Sequence, residues 1–248
     1  MFPVLRIAVA AVLAAAAPAA FAARPFNTDD ARIVDPDGWQ IEAYVKSQRT
    51  ISETEYWFLP AHNFGGALDR FEFTVGGNIV RSDPNGNSNL ILGQVKTLLK
   101  PLETNGVGFA LTVGVSRGSG LVAVTPFDIT QAAGPTTTKV SYNPYLNGIA
   151  SVSVLDDGAV FHLNAGVTRD NATRRDVGNW GVGAEIRVSE RWFGIAETYG
   201  LSDEKPAYQV GVRFWAIPSR LQVDGTFGWQ HSDPENLRWI SIGVRILW

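Results

Sequence analysis

From Gly38 onward, apolar and polar residues alternate one for one in stretch after stretch, with turn-forming residues between the stretches. Trp39, Ile41, Ala43 and Val45 fall on one face, and Gln40, Glu42, Tyr44 and Lys46 on the other. Phe71, Phe73 and Val75 oppose Glu72 and Thr74; Phe109, Leu111, Val113 and Val115 oppose Ala110, Thr112 and Ser116. The pattern returns with Phe161, Leu163, Ala165 and Val167 against His162, Asn164 and Thr168, and with Val182, Ala184, Ile186 and Val188 against Glu185 and Arg187. Tyr208, Val210, Val212 and Phe214 oppose Gln209 and Arg213, and Leu221, Val223, Phe227 and Trp229 oppose Gln222, Asp224 and Thr226. The last stretch, Arg238 to Trp248, puts Ile240, Ile242, Val244, Ile246 and Trp248 on one face. A period of two predicts strands, each with one apolar face and one polar or small face.

Alternation of this kind suits a soluble sandwich as well as a membrane barrel, so the connections must decide. Short ones are read at Gly65–Asp69, Pro101–Gly106, Asp156–Gly158, Ser189–Glu190 and Ile217–Ser219. Between them fall Arg81–Ser88, Arg117–Thr138 and Arg169–Gly178, together with the briefer Ser202–Pro206 and Ser232–Asn236. Short turns alternating with longer polar loops are the rhythm of an outer-membrane barrel. The expectation is an all-β, transmembrane, antiparallel up-and-down barrel over residues 38–248, of about 12 strands, with both termini in the periplasm. Ten strands is the alternative, because Pro60 interrupts the second stretch, Thr54–Phe64, whose two faces are equally apolar.

Ahead of the barrel, Met1 to about Ala22 carries Arg6, an alanine-rich apolar run and Ala20-Phe21-Ala22 as a small-x-small site, which predicts a secretory signal peptide cut after Ala22 or Ala23. Its apolar core is too short to span a bilayer. Residues 23–37 have no period and predict a periplasmic arm or plug. Asp29, Asp30, Asp35 and Asp37 lie here, but their spacing is not that of a calcium loop, and no metal is expected.

Composition narrows the classes further. The formal charge is −3, which gives no reason to expect nucleic acid as a partner, and the only long apolar run is the N-terminal one, which excludes a helical bundle in a membrane. With no cysteine there is no disulfide, thiolate metal site or lipidated N-terminal cysteine. No cofactor motif is present.

The final strand, ending on Trp248, resembles the closing strand of bacterial outer-membrane barrels, where that terminal pattern is the signal for the barrel-assembly machinery. Three further groups of motifs resemble one family. They are Arg24-Pro-Phe-Asn-Thr-Asp-Asp-Ala-Arg-Ile-Val with Gly38-Trp-Gln-Ile-Glu; Ala67-Leu-Asp-Arg-Phe-Glu-Phe-Thr-Val-Gly; and Ala196-Glu-Thr-Tyr-Gly with Ala207-Tyr-Gln-Val-Gly-Val-Arg-Phe-Trp. Together they look like the outer-membrane family named for the MetA pathway of phenol degradation, a group of transporters. The resemblance covers most of the mature chain. It implies a barrel among outer-membrane lipids that passes or senses small molecules, and it implies no enzyme.

The candidate chemistry lies on the inward face. Combining face with height along each strand places Glu42, Glu72, Lys96, Glu185, Arg187, Glu197, Arg213, Asp224 and Arg245 inside, mostly in the periplasmic half. Successive strands read Glu197, Arg213, Asp224, Arg245 and, across the closing seam, Glu42, so the signs alternate around the wall. Two roles follow: mutual neutralisation that stiffens the wall, and a constriction whose field selects solutes. Tyr44, His162, Trp215 and Trp239 are further lumen candidates; the tryptophans near strand ends otherwise read as girdles at the two interfaces. Catalysis is not expected. His162 has Asn164 as its same-face neighbour and no serine on that face of its own strand, and no nucleophile or phosphate motif appears. The function expected is an outer-membrane channel or transporter for small molecules, hydrophobic or aromatic ones among them. The alternative is a non-conducting structural or ligand-binding barrel.

Overall fold

The computed structural model describes residues 26–83, 86–119, 140–171, 173–231 and 236–248. The expected leader, Met1–Ala22, residues 23–25 of the arm and most of the 117–138 connection lie outside the described residues. The strands are β1 (Trp39–Gln48), β2 (Glu53–His62), β3 (Phe71–Ser82), β4 (Gly86–Lys100), β5 (Val107–Ser119), β6 (Ser141–Val154), β7 (Ala159–Asp170), β8 (Arg175–Arg187), β9 (Trp192–Leu201), β10 (Ala207–Ile217), β11 (Leu221–Gln230) and β12 (Leu237–Leu247). All twelve pair antiparallel with their sequence neighbours, and β12 closes on β1 with Glu42 opposite Arg245 and Gln48 opposite Trp239. Closure leaves no unpaired sheet edge, the condition for a sheet in hydrocarbon. Among the described residues no helix is long and apolar enough to cross a membrane; the strands form the wall.

The two faces of the wall settle the choice between sandwich and barrel. Val75 is 64 % exposed, Ile79 56 %, Leu163 56 % and Ile242 64 %, and Val113 and Val212 stand out with them. A soluble protein does not leave so continuous an apolar band in water. Inside, the residues shielded from solvent are Glu, Gln, Asn, Ser, Thr, Lys and Arg, with a few aromatics. The core is a polar lumen, the inverse of a soluble barrel.

Three expectations are corrected. The connection read at Arg81–Ser88 shortens to residues 83–85, because the strands run on to Ser82 and from Gly86, and that at Arg169–Gly178 shortens to residues 171–174, between Asp170 and Arg175. Of the connections at that end only 120–140 is long, so the alternation of short and long links is absent. The cause is that the upper ends of these strands carry polar residues on both faces: Asn87, Arg169 and Asp176 point outward above the apolar band, so the hydropathy period fades while the hydrogen-bonded ladder continues. The second strand is present as Glu53–His62 with Pro60 inside it; pairing to β3 lapses after Phe58↔Gly77 and resumes at Ala61↔Thr74, the local gap that a missing N–H requires. Its inward face is Glu53, Glu55, Trp57, Leu59 and Ala61.

Candidate functional site

Residues 26–34 lie inside the barrel, and their backbone is held largely by side chains of the wall, while Asp35, Pro36 and Asp37 are exposed at the rim. The Asn27 N–H donates to Glu197 Oε1 at 2.9 Å and the Thr28 N–H to Glu197 Oε2 at 2.8 Å. Asp29 N–H donates to Asn164 Oδ1 at 2.7 Å, Ala31 N–H to Ser151 Oγ at 2.9 Å, and Val34 N–H to Glu72 Oε2 at 2.8 Å. In return Asn164 Nδ2 donates to the Asp29 carbonyl at 2.7 Å, and Asn63 Nδ2 to the Val34 carbonyl at 2.9 Å. An irregular segment in a closed lumen has no ladder to satisfy its backbone, so the wall must supply the partners. Bonds to charged acceptors contribute about 1.5–3 kcal/mol each.

Side chains of the arm complete the fit. Lys96 Nζ on β4 pairs with Asp29 Oδ1 at 2.6 Å and Asp30 Oδ1 at 3.3 Å, and Asp30 also faces Arg32 at 3.8 Å. Ala31 packs against Ala110 on β5 and Ile149 on β6. On β8 two inward glycines make room: a Cβ on Gly181 would lie 2.6 Å from Thr28 Oγ1, and one on Gly183 3.1 Å from the Phe26 ring. Two of the four acidic residues considered for calcium therefore face a lysine, and among the described residues no cluster fits a metal ion.

All the inward charges named from the sequence point into the lumen, but they divide into two groups. Glu72, Lys96 and Glu197 hold the arm. Glu42, Glu185, Arg213, Asp224 and Arg245 belong to the wall itself, and half-buried Arg187 sits at the rim near the termini. The expected Glu197–Arg213–Asp224 alternation is corrected. Glu197 faces Gln209, four residues along β10 from Arg213, and accepts from its Nε2 at 2.9 Å. Arg213 is in register with Asp224, yet its guanidinium crosses β9 to ion-pair with Glu185 and lies 4.7 Å from the Phe193 ring centre. Reading height by counting along each strand ignores stagger, and four residues amount to about 13 Å. At the seam, Arg245 Nε donates to Gln40 Oε1 at 3.0 Å and lies 3.6 Å from Glu42.

The other lumen candidates are placed as follows. Trp239 lies over Gly228, with Nε1 donating to Gln209 Oε1 at 2.9 Å, so the tryptophan, Gln209, Glu197 and the arm form one chain of bonds. Lys46 sits 5.5 Å from the Trp239 ring and pairs with Glu55 at 2.7 Å. Trp215 packs with Phe193 and Leu247 near the termini. Tyr44 stacks on Trp57, ring centres 5.6 Å apart. His162 does have a serine on its face: Ser151, directly across on β6, with Oγ 2.9 Å from Nδ1. That serine also takes the Ala31 N–H and is fully buried, and Phe26 stands edge-on to His162 at 5.4 Å, so the pair is sealed beneath the arm. Trp248 is exposed and stacks on Trp39 at the rim.

On the opposite side of the arm a cavity of about 150 Å³ remains. Tyr44, Trp57, Leu59 and Leu92 form its apolar side, and Asp29, Asp30, Glu42, Glu72, Lys96 and Arg32 its charged side. That is room for about five waters. Outside the wall, Asp157 in the β6–β7 turn is held below the usual carboxylate range: partial burial would raise it, but hydrogen bonds from Ser153 and Thr104 outweigh burial.

Sequence reasoning missed Asn164, Ser151, Gly181 and Gly183 as partners of the arm. The available signal was Gly181-Val-Gly183, two side-chain-free inward positions in succession between Asn179 and Glu185.

The sequence matches, over residues 8–248, the family described as "Uncharacterised conserved protein UCP029691". The MetA-pathway grouping does not come with that match. No curated protein matches the chain. Among solved structures, the barrel is similar to the COG4313 outer membrane channel from Pseudomonas putida F1, with a TM-score of 0.59 and 8% identity over 90% of this chain and 100% of that one. It is similar to KdgM porin in complex with disordered oligogalacturonate, with a TM-score of 0.55 and 12% identity over 84% of this chain and 98% of that one. These likenesses establish the outer-membrane barrel fold, and the neighbours are channels.

Proposed function

Since the chain belongs to the family that matches residues 8–248 and has the fold of outer-membrane channels, we propose that it is an outer-membrane channel for small molecules, stoppered by its own residues 26–34. The observation that carries this reading is the set of five backbone N–H groups, on Asn27, Thr28, Asp29, Ala31 and Val34, each taken by an inward side chain of the wall. In this reading a signal peptide at residues 1–22 directs the chain to the periplasm. Trp248 at the exposed end of β12 then presents it to the barrel-assembly machinery, and the arm docks from the periplasmic side. Passage of a solute requires the arm to shift. An aromatic or hydrophobic solute is the finer expectation; the MetA resemblance supports it, and so do Tyr44 and Trp57 beside the cavity. No enzymatic step is assigned, in keeping with the sealed Ser151–His162 pair.

Solute entry into liposomes tests the proposal. The chain lacking residues 26–37 is expected to admit small sugars and phenol-sized solutes at least tenfold faster than the full chain. A folded armless barrel that stays impermeable would sink the channel reading and favour the non-conducting barrel.

A further inference from the structure

Arginines that leave the wall outward are confined to one end of it. Arg81 on β3, Arg117 on β5, Arg169 on β7 and Arg238 on β12 carry the outward parity and lie in the half remote from the termini; at the other end no described strand turns an arginine outward, and the outward cation found there is Lys100, at the end of β4 opposite outward Phe109. A charge beside hydrocarbon costs about 2–4 kcal/mol at mid-bilayer and about 0–1 near an interface, and either interface would serve that purpose equally. The bias, four arginines against Lys100, therefore points to a leaflet rich in anions at the remote end. Arg169 is neutralised by Asp176 at 3.1 Å. Arg81 and Arg117 pair with no carboxylate among the described residues; each lies over an outward tyrosine, Tyr56 at 5.4 Å and Tyr142 at 6.0 Å.

We propose that Arg81 and Arg117 form a binding site for a phosphorylated glycolipid of the outer leaflet. The two flank β4, with Arg81 opposite Asn87 and Arg117 opposite Ile91. Two strand spacings across and four residues along separate their backbones by about 16 Å, a span that fits a headgroup bearing two phosphates. Guanidinium groups suit phosphate oxygens through paired N–H donors. Directly below, Gly93 stands between Val75 and Val115, and a Cβ there would meet nothing within 4 Å. The result is a shallow apolar trough, flanked by exposed valines, in line for an acyl chain.

The inference rests on the outer-membrane reading above, and the test separates the two. Wild-type protein in phosphatidylethanolamine nanodiscs is titrated with diphosphoryl lipid A, monophosphoryl lipid A and inorganic phosphate, and bound lipid is counted by native mass spectrometry. Diphosphoryl lipid A is expected to be retained at least tenfold better than the monophosphoryl form, and inorganic phosphate not at all. Arg81→Gln with Arg117→Gln is expected to abolish that preference, while Arg169→Gln keeps it. Folding is checked by heat-modifiable migration; should the glutamine pair misfold, Arg81→Lys with Arg117→Lys keeps the charge and is expected to lose part of the preference. Equal retention of both lipid A forms by the wild type, equal retention by wild type and double variant, or binding of inorganic phosphate alone would overturn the site. A protein that enters no nanodisc at all would overturn the outer-membrane reading instead.

Discussion

The two sides of the lumen share one backbone design and differ in what their inward residues leave free. On β6 to β9 the inward positions that bond the arm's backbone or make room for it are mostly short or absent, Ser151, Asn164, Gly181 and Gly183, with Glu197 reaching in from the far edge, and Ile149 and His162 pack on Ala31 and Phe26 between them. On β1, β2 and β4 they are long, Glu42, Tyr44, Trp57, Leu59 and Leu92, and a cavity that Lys96 bridges separates them from the arm. A barrel of this width neither packs solid nor stands open by strand number alone. The difference teaches that side-chain length, set residue by residue on the inward parity, decides where a segment docks and where space remains.

The largest effect expected from breaking this arrangement is at Lys96, which bridges the cavity side to the arm. Lys96→Met leaves Asp29 and Asp30 without it, and removing one partner of a buried pair costs about 3–5 kcal/mol. The loss is capped by release of the arm, so the barrel itself should remain folded while trypsin gains access to Arg32. Persistent protection of Arg32 in this variant would contradict the role given to Lys96. Glu197→Ala follows, removing two arm N–H bonds and the bond from Gln209, with an expected loss of about 3 kcal/mol in arm docking by the same protease measurement.

Gly181→Val sharpens the comparison from the other wall. Its added methyl groups enter space held by Thr28, and overpacking of about 1–3 kcal/mol should displace the first residues of the arm. Thr112→Val, facing the cavity, is the smallest change. Its hydroxyl is buried without a partner among the described residues, so replacement should shift stability by less than about 1 kcal/mol, in either direction. Equal effects at Gly181 and Thr112, read from urea unfolding of refolded protein and from Arg32 cleavage, would erase the distinction between the two walls.

Much of the fold was legible because the period of two survives wherever one face meets lipid; Val113, Val212 and Ile242 stand outward as that period requires. It failed at Asn87 and Asp176, where strands rise above the apolar band and polarity on both faces looks like loop. For the site, face was readable and height was not. Glu197 and Arg213 share the inward parity, but strand stagger separates them and sends Arg213 to Glu185. The arm announced itself by its aspartates and lack of period, yet its partners are brought together only by register: Ser151 meets His162 across two strands, and Asn164, Glu197 and Glu72 come from three distant stretches. No sequence spacing encodes that meeting.

The central claim is that the arm closes the lumen and must move for the channel to conduct. The chain has no cysteine, and the Thr28 Cβ lies 3.4 Å from the position of a Cβ on Gly181, close to the separation a disulfide needs. Single-channel recordings of Thr28→Cys combined with Gly181→Cys test the claim most directly. Oxidised protein should be silent and the same molecules should open after reduction, reversibly; equal currents in the two states, whether open or silent, would contradict the account.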